Sequence, residues 1–389
     1  MRAIKVQLSP TPAQRRLLNA QLEEHRILYN HCLEQRIRAW KERSESIPAF
    51  TQIKNEIAAL RQATKLPLSN YSSLQQTVRR LDKTYKNFFR GGGFPRFKKE
   101  YSTIEYAKRG DGCGIKKGKL RLQNVGNIRC RWHCDIPEFK TLSVTRRGDK
   151  YYVNFIVVDE PVAPVGAEKL IERKAVGLDF GLKTFLTTST GEKIESPKFH
   201  KLSLREQAKV QRRIERVKNA KSVKERAALK RYRRTLRKVH QKIANRRSDF
   251  NHKLSRKLVN SHDVIVLENI NLRGLVSEIA PINRSYADVA FGQFKTFLTY
   301  KAENAGKTVI LVNPAYTTQT CSNCGALVPK SIKERIHRCA CGCELDRDHN
   351  AAKNILELGL TQLNERRARR SEDGAQAPSA RGPRIHSGE

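Results

Sequence analysis

Three acidic residues stand at the ends of apolar strands or at the start of a helix, where they could bind metal. Asp179 interrupts the apolar stretch 175–181, Glu268 follows the apolar stretch 264–267, and Asp348 begins a segment with high helix propensity. A buried carboxylate must be paired, hydrogen-bonded or bound to metal, because its desolvation is otherwise costly. Carboxylate oxygens suit Mg²⁺, and two such ions about 3.5 to 4 Å apart promote phosphodiester hydrolysis. The acids therefore indicate either a centre for phosphodiester chemistry or separate structural ion pairs.

A second set of residues that could do chemistry is a cluster of cysteines. Five of the nine cysteines lie between Cys321 and Cys343. We expect no signal peptide, and such crowding favours a metal site over a disulfide scaffold. Cys321-x-x-Cys324 is the spacing of one half of a tetrahedral zinc site, and a second half would have to come from Cys339, Cys341 and Cys343. A closed site of four ligands would be structural. The alternative is a cluster of free thiols.

The charge composition favours a polyanionic partner. The chain has 77 Lys and Arg against 38 Asp and Glu, a net charge of +39, and few proteins carry such self-repulsion unless a polyanion neutralises it. A membrane surface is the rival to nucleic acid, but no run of 18 or more apolar residues occurs. We therefore expect a cytoplasmic nucleic-acid-binding protein without a membrane partner. A monomer is favoured over an oligomer.

One segment concentrates this charge. Residues 201–247 contain 19 Lys or Arg and 3 Asp or Glu, a net charge of 19 − 3 = +16. Apolar residues from Leu229 to Ile243 recur at steps of three and four, which predicts a long helix packed on a partner. The alternatives are a phosphate-tracking helical hairpin and a solvated helix face, and the single sign of the charge favours the hairpin. Its candidate nucleic-acid contacts are Arg212, Arg213, Arg233, Arg234, Lys238, Arg246 and Arg247.

The elements that must position these residues fall into two halves, as a chain of 389 residues leads us to expect. A strand at residues 4–8 precedes a helix whose start has the capping-box residues Thr11 and Gln14 around Pro12. Helical patterns continue to about Phe89 and end at three glycines, after which short strands dominate to about residue 160.

The second half follows a linker at residues 161–166 that is rich in Pro and Gly. It alternates strands with helices in an α/β rhythm: a strand pair at 176–188, a strand ending at Glu268, a helix at about 288–305, and a strand at 308–312. The residues from Glu365 onward are rich in Arg, Ser, Gly and Pro, which predicts a disordered tail.

Several motifs give the chain a specific resemblance. Residues 177–181, 266–269 and 346–352 resemble the three acidic motifs of the RuvC nuclease domain in TnpB, a family encoded by bacterial insertion-sequence transposons and related to type V CRISPR effectors. Residues 313–325 resemble the approach of that family to its zinc site, and residues 93–98 resemble an element near its N-terminal boundary. The resemblance covers nearly the whole chain and is strongest after Ala175.

The resemblance implies an α+β multidomain fold. A helical recognition lobe and a β-barrel-like wedge module would precede an RNase H-like (RuvC) α/β nuclease domain with an inserted zinc ribbon. The implied boundaries are 1–10 for the first wedge strand, 11–93 for the recognition domain, 94–166 for the wedge module, 167–364 for the nuclease domain with a zinc insert at about 316–345, and 365–389 for the tail.

The resemblance also implies a function. The protein would be a Mg²⁺-dependent endonuclease that uses a transposon-derived guide RNA to cleave matched double-stranded DNA beside a short flanking motif, associating with the nucleoid when bound to DNA. Asp179, Glu268 and Asp348 would hold two Mg²⁺ ions as the catalytic acids. Alternatives are an RNase H-like transposase, a nuclease-inactive RNA-guided DNA-binding regulator and a plain RNA-binding protein.

Two details of the site depend on matching the family pattern. Asp348 stands two residues before Asn350 as the pattern requires, which leaves Asp346 as a supporting or structural acid. In the zinc site, Cys341 before Gly342 fits the second half, so Cys321, Cys324, Cys339 and Cys341 are the expected ligands. Cys339 is one residue closer than usual, Cys343 is the alternative ligand, and His337 is expected to be an ordinary histidine.

Overall fold

The computed structural model describes residues 2–158, 174–181, 184–197, 199–219, 221–270, 290–331 and 334–375. The chain divides into two compact units, Met1–Glu160 and Pro161–Glu389. Each unit has its own apolar core, as expected for a chain of this length. No described helix is long and apolar enough to cross a membrane.

The helical part of the first unit consists of α1 (Pro12–Arg43), α2 (Ala49–Gln62) and α3 (Tyr71–Phe89). The predicted capping box of α1 is confirmed, because Thr11 accepts a hydrogen bond from the Gln14 N–H and the Gln14 side chain accepts one from the Thr11 N–H. A core between the helices contains Tyr29, Leu33, Leu74 and Val78.

The β part of the first unit is a seven-stranded antiparallel sheet in the order β2-β6-β7-β1-β5-β4-β3. The N-terminal strand pairs with β5 and β7, so it joins the same sheet as the strands from Thr103 onward. Strands β6 and β7 form a hairpin, and Gly148 takes a left-handed conformation (φ 61°) in the turn between them. The strands are β1 (Arg2–Ser9), β2 (Thr103–Tyr106), β3 (Cys113–Lys116), β4 (Lys119–Leu122), β5 (Gly126–Arg131), β6 (Phe139–Arg147) and β7 (Lys150–Val157).

The second unit contains a five-stranded mixed sheet in the order β10-β9-β8-β11-β12. Strands β8, β11 and β12 are parallel, whereas β9 and β10 add antiparallel strands at one edge. Strand β11, which lies between β8 and β12, is buried along its whole length, as expected for a parallel strand covered on both faces. The strands are β8 (Ala175–Phe180), β9 (Thr184–Thr188), β10 (Lys193–Glu195), β11 (Val264–Glu268) and β12 (Thr308–Val312), and a small hairpin adds β13 (Ile336–Arg338) and β14 (Glu344–Asp346).

Four described helices complete this unit: α4 (Phe199–Arg216), α5 (Val223–Ser261), α6 (Phe291–Asn304) and α7 (Arg347–Ala375). The prediction of a long helix that packs on a partner is confirmed for α5. Its apolar residues Val239 and Ile243 are buried, and α4 packs alongside. The predicted helix at 288–305 is observed as α6, and its first predicted residues lie outside the described part of the chain.

Helix α7 lies directly against the sheet because two glycines allow a close approach. A Cβ atom at Gly177 of β8 would stand 2.1 Å from the Ala352 carbonyl oxygen, and one at Gly359 of α7 would stand 2.4 Å from the Val266 methyl carbons. These contacts place the start of α7 relative to β8 and β11.

The end of α7 corrects one sequence expectation. The helix continues past Glu365 to Ala375, where the composition had predicted a disordered tail. That prediction is wrong for residues 365–375, because the Glu, Arg and Ala residues at this position have high helix propensity and extend a helix already formed. Residues 376–389 lie outside the described part of the chain.

Candidate metal centre and nucleic-acid interface

Asp179 and Glu268 lie on adjacent parallel strands. Leu178 of β8 pairs with Leu267 of β11, so the next residue of each strand is a carboxylic acid. Both acids are buried, with 7% and 8% of their surface exposed. The parallel register therefore brings together two acids that are far apart in the sequence.

Asp348 lies in the first turn of α7. The Arg347 guanidinium donates to its carboxylate, with Nη2 and Nε at 3.1 and 3.2 Å from Oδ1. The neighbouring Asp346 has a different role, since its Oδ1 accepts the N–H groups of Asp348 and His349 and so caps the helix. Its Oδ2 accepts a 2.7 Å hydrogen bond from Lys193 of β10.

The protonation properties of the acids reflect this proximity. Burial raises the pKa of Asp179 well above its ordinary value, and the carboxylates of Glu268 and Asp348 raise it further. The Arg347 guanidinium opposes this shift only in part. Burial also raises the pKa of Glu268, against the lowering effect of its hydrogen bond from Thr317. The structure thus brings the three predicted acids into electrostatic contact.

By contrast, the Asp346 carboxylate is stabilised in its charged form. Although burial raises the pKa of Asp346, the Lys193 ammonium and the helix N–H groups lower it overall. Asp346 is thus already satisfied by a cation and by backbone donors.

The spacing of the three acids is looser than that of the cysteines. Among the described residues, the sets of three or more ligands whose atoms lie within 4.8 Å of one another are formed by cysteines and one histidine, and the acids are not among them. Three neighbouring carboxylates are nevertheless the type of donor set that a hard divalent cation takes. Two ions spanning the acids do not require all their oxygens to converge on one point.

A threonine that sequence reasoning did not identify contacts this centre. The Thr317 hydroxyl donates a 2.6 Å hydrogen bond to Glu268 Oε1, and Thr317 is itself buried. It lies in the segment 313–325 quoted above for its resemblance. The hydroxyl alone carries no signal in the sequence, because the contact depends on how that segment folds back over β11.

The cysteine cluster forms a possible metal site. The Sγ atoms of Cys321, Cys324, Cys339 and Cys341 all lie within 4.8 Å of one another. Cys321 Sγ is 3.7 Å from Cys341 Sγ, and Cys324 Sγ is 3.6 Å from Cys339 Sγ. Although burial raises the pKa of Cys321, hydrogen bonds from backbone N–H groups lower it to about 5, which favours the thiolate that metals bind. Four thiolates fit zinc.

Cys343 and His337 form a second set of candidate ligands with Cys321. Their ligand atoms and that of Cys321 lie within 4.8 Å of one another, so Cys343 remains a geometrically available alternative. His337 is fully buried and its Nδ1 contacts the Lys330 ammonium. The expectation of an ordinary histidine is therefore incomplete, because His337 lies at the edge of the cluster.

The basic segment folds into the hairpin of α4 and α5. Arg212 and Arg213 line a concave surface on α4, and the Arg213 guanidinium lies 5.9 Å from the ring of Tyr232 on α5. The other candidate contacts lie on α5, where Arg233, Arg234, Lys238 and Arg246 are exposed and Arg247 is half-buried. Sequence reasoning missed further basic residues on this concave surface, although their helical spacing could have indicated them: Arg205, Lys209 and Arg216. It also missed Arg231 of α5, which lines a second concave surface with Arg213 and Arg216.

One solved structure and three family models show which proteins this chain is similar to. The fold resembles that in a cryo-EM structure of a Cas12f1-sgRNA-target DNA complex, with a TM-score of 0.52, 14% sequence identity, and coverage of 88% of this chain and 82% of that one. The predicted mixed α/β architecture is confirmed at this level. Models of three protein families match separate segments of the chain. They are "Cas12f1-like, TNB domain" at residues 291–355, "Probable transposase" at residues 155–278 and "Helix-turn-helix domain" at residues 1–45.

Sequence relatives then give the family. The chain is 32% identical to a "Putative RNA-guided DNA endonuclease" of Streptomyces pristinaespiralis, over 92% of this chain and 89% of that protein. It is 31% identical to the "TnpB-like protein L79" of Acanthamoeba polyphaga mimivirus, over 57% of this chain and 44% of that protein. The chain belongs to the TnpB family, and the resemblance seen in its motifs is confirmed.

Proposed function

We propose that this protein is an RNA-guided DNA endonuclease that hydrolyses phosphodiester bonds at a centre formed by Asp179, Glu268 and Asp348. The observation that carries the proposal is the burial of Asp179 beside two other carboxylates, which raises its pKa well above the ordinary value. A protein maintains such a costly group when a cation or a proton neutralises it in function. The near full-length relative from Streptomyces is named for the same activity.

Within this proposal the three acids hold divalent cations, with Mg²⁺ as the physiological choice, in a domain of RuvC type. Bound Mg²⁺ would supply Lewis-acid stabilisation of the charge that develops on phosphate during hydrolysis. The acids of β8 and β11 contribute oxygen ligands from a rigid sheet, and Asp348 contributes one from a capped helix start. Arg347 neutralises part of the negative charge and orients the Asp348 carboxylate.

The basic hairpin contributes the nucleic-acid surface. Its Arg and Lys side chains would contact phosphates of a guide RNA and of target double-stranded DNA, and recognition of sequence would rest on base pairing, with a short flanking motif read by the protein. A structural zinc ion in the cysteine cluster would brace the segment that runs from β12 to α7.

The test begins with the protein purified together with any bound RNA, which is then sequenced. Duplex DNA that matches the RNA and carries randomised flanks is supplied with Mg²⁺. Wild-type protein is expected to cleave it beside one flanking motif, whereas Asp179→Ala is expected to bind but not to cleave. Cleavage by Asp179→Ala would falsify the assignment of the metal centre. Binding without cleavage by the wild type would favour the inactive regulator, and joining of transposon ends would favour the transposase.

A further inference from the structure

The loop between β12 and the first cysteines lies over the end of β11 and contacts the acidic centre through a single side chain. Thr317 is 3% exposed, and its hydroxyl donates a 2.6 Å hydrogen bond to Glu268 Oε1. A second acceptor, the Pro314 carbonyl oxygen, lies farther away at 3.2 Å. The shorter distance and the charge of the carboxylate favour donation to Glu268.

The backbone of this loop is in turn held by the helix that begins with the third acid. Asn354 of α7 is buried, and its Nδ2 donates to the carbonyl oxygens of Thr317 at 2.8 Å and Thr320 at 2.7 Å. Asn350 is also buried, donates to the Thr320 carbonyl oxygen at 2.7 Å, and accepts the Ser322 N–H at 2.9 Å. The loop then enters the cysteine cluster at Cys321.

These contacts connect two of the acids without a direct bond between them. Asp348 lies in the first turn of α7, Asn350 and Asn354 follow on the same helix, and Thr317 links that helix to Glu268. A displacement of α7 would thus shift the loop and, with it, the donor that orients the Glu268 carboxylate. Hydrogen-bonded partners of this kind set the orientation of metal ligands and affect metal affinity strongly.

We infer that Thr317 is a positioning residue, which holds the Glu268 carboxylate in the orientation required for cation binding and couples it to α7 and the cysteine cluster. This inference rests on the proposed function, because it assigns Glu268 to the metal centre. The hydroxyl is its essential feature: serine can replace it, whereas the nearly isosteric valine cannot.

The experiment compares Thr317→Val and Thr317→Ser in the full chain, with Thr318→Val as a matched control. Thr318 is the adjacent threonine, and among the described residues its hydroxyl has no hydrogen bond of its own with another side chain. Mn²⁺ serves as the probe, since it takes the same oxygen ligands as Mg²⁺. Its binding to the RNA-free chain is measured by electron paramagnetic resonance, and zinc content and the melting temperature verify the fold.

The Thr317→Val variant is expected to bind Mn²⁺ about 10- to 100-fold more weakly than the wild type and to require correspondingly more Mg²⁺ for DNA cleavage. Thr317→Ser and Thr318→Val are expected to match the wild type in both measurements. Should Thr317→Val lose zinc or melt early, Thr317→Ala provides the same comparison without the added methyl group in the buried site.

A folded Thr317→Val or Thr317→Ala variant that binds Mn²⁺ as tightly as the wild type overturns the inference. Glu268→Gln separates this outcome from failure of the proposed function. If Glu268→Gln is inactive while the Thr317 variants are normal, the metal centre stands and the positioning role is wrong. If Glu268→Gln cleaves DNA normally, the part of the proposed function that assigns Glu268 to the metal centre is wrong.

Discussion

Asp179 and Glu268 each follow a paired leucine on two adjacent parallel strands, and both carboxylates are buried. The register that aligns Leu178 with Leu267 makes this juxtaposition a consequence of sheet pairing. The loss of solvation and the repulsion between the carboxylates both favour the protonated acid, which raises the pKa of Asp179. The centre is therefore unfavourable for folding at neutral pH until a cation compensates its charge.

The first prediction concerns the free-energy cost of burying the charged Asp179 carboxylate without a cation. Because the folded pKa of Asp179 lies above its unfolded value, the folded state binds more protons, and stability falls as pH rises above the ordinary pKa of 3.8. Asp179→Asn removes the penalty, so the metal-free variant is expected to melt at a higher temperature than the wild type at pH 7. The difference should vanish below the ordinary pKa. Calorimetry across pH without divalent cations measures it, with the exposed Asp135→Asn as control.

Addition of Mg²⁺ should reverse the order of these two proteins. The wild type gains stability as the free Mg²⁺ concentration rises above the dissociation constant of the site, whereas Asp179→Asn lacks one of the ligands and gains less. Equal gains for both proteins would show that Mg²⁺ binds elsewhere.

The second prediction separates the two aspartates at the start of α7. Asp348→Asn is expected to reduce DNA cleavage by at least about 100-fold, because it removes an oxygen ligand of the cations. Asp346→Ala is expected to retain more activity and instead to lower the free energy of unfolding by about 1 kcal/mol, since it removes a helix cap and an ion pair with Lys193. Single-turnover cleavage and chemical denaturation of both variants provide the comparison, and the opposite ranking would reassign the ligand to Asp346.

The third prediction concerns the close contact between β8 and α7. Gly177→Ala would place a Cβ atom 2.1 Å from the Ala352 carbonyl oxygen, so helix and sheet must separate. We expect a loss of about 1 to 3 kcal/mol in the free energy of unfolding, together with reduced cleavage because Asp348 moves with the helix. Gly114→Ala is the matched control in strand β3, where an added Cβ meets nothing within 4 Å. Denaturant titration decides whether the two substitutions differ.

The fourth prediction concerns the cysteine cluster. Cys341→Ser is expected to abolish stoichiometric zinc, since its thiolate belongs to the set of four, and to lower the melting temperature. Cys343→Ser is expected to keep zinc at one ion per chain. Elemental analysis of the purified variants distinguishes the two, and zinc loss in Cys343→Ser alone would make the Cys321, His337 and Cys343 set the true site.

The fifth prediction concerns the concave basic surface of α4. Replacing Arg212, Arg213 and Arg216 together by alanine is expected to weaken RNA and DNA binding. The slope of log affinity against log salt should become shallower by about 2 to 3, because each phosphate that the protein no longer neutralises reduces it by about 0.9. The same three residues replaced by lysine keep the point charges and should leave the slope nearly unchanged. Filter binding between low and moderate KCl measures both, and an unchanged slope in the alanine variant would place the phosphate-binding residues elsewhere.

The sequence by itself determined the local features of the protein. The capping box at Thr11, the apolar strands ending at Asp179 and Glu268, and the Cys321-x-x-Cys324 spacing are all set by neighbouring residues, so periodicity and residue type reveal them. The basic segment was equally visible, because charge needs no tertiary structure to be counted. The family motifs added the order of the three acids.

Only the tertiary structure decided which distant residues meet. The parallel register of β8 and β11 aligns Asp179 with Glu268, and the close packing of α7 on Gly177 brings Asp348 to the same edge. The Thr317 hydroxyl reaches Glu268 because the loop after β12 is held by Asn354. Such contacts depend on the mutual packing of segments far apart in the chain, and the residue types at each end allow many partners until packing selects one.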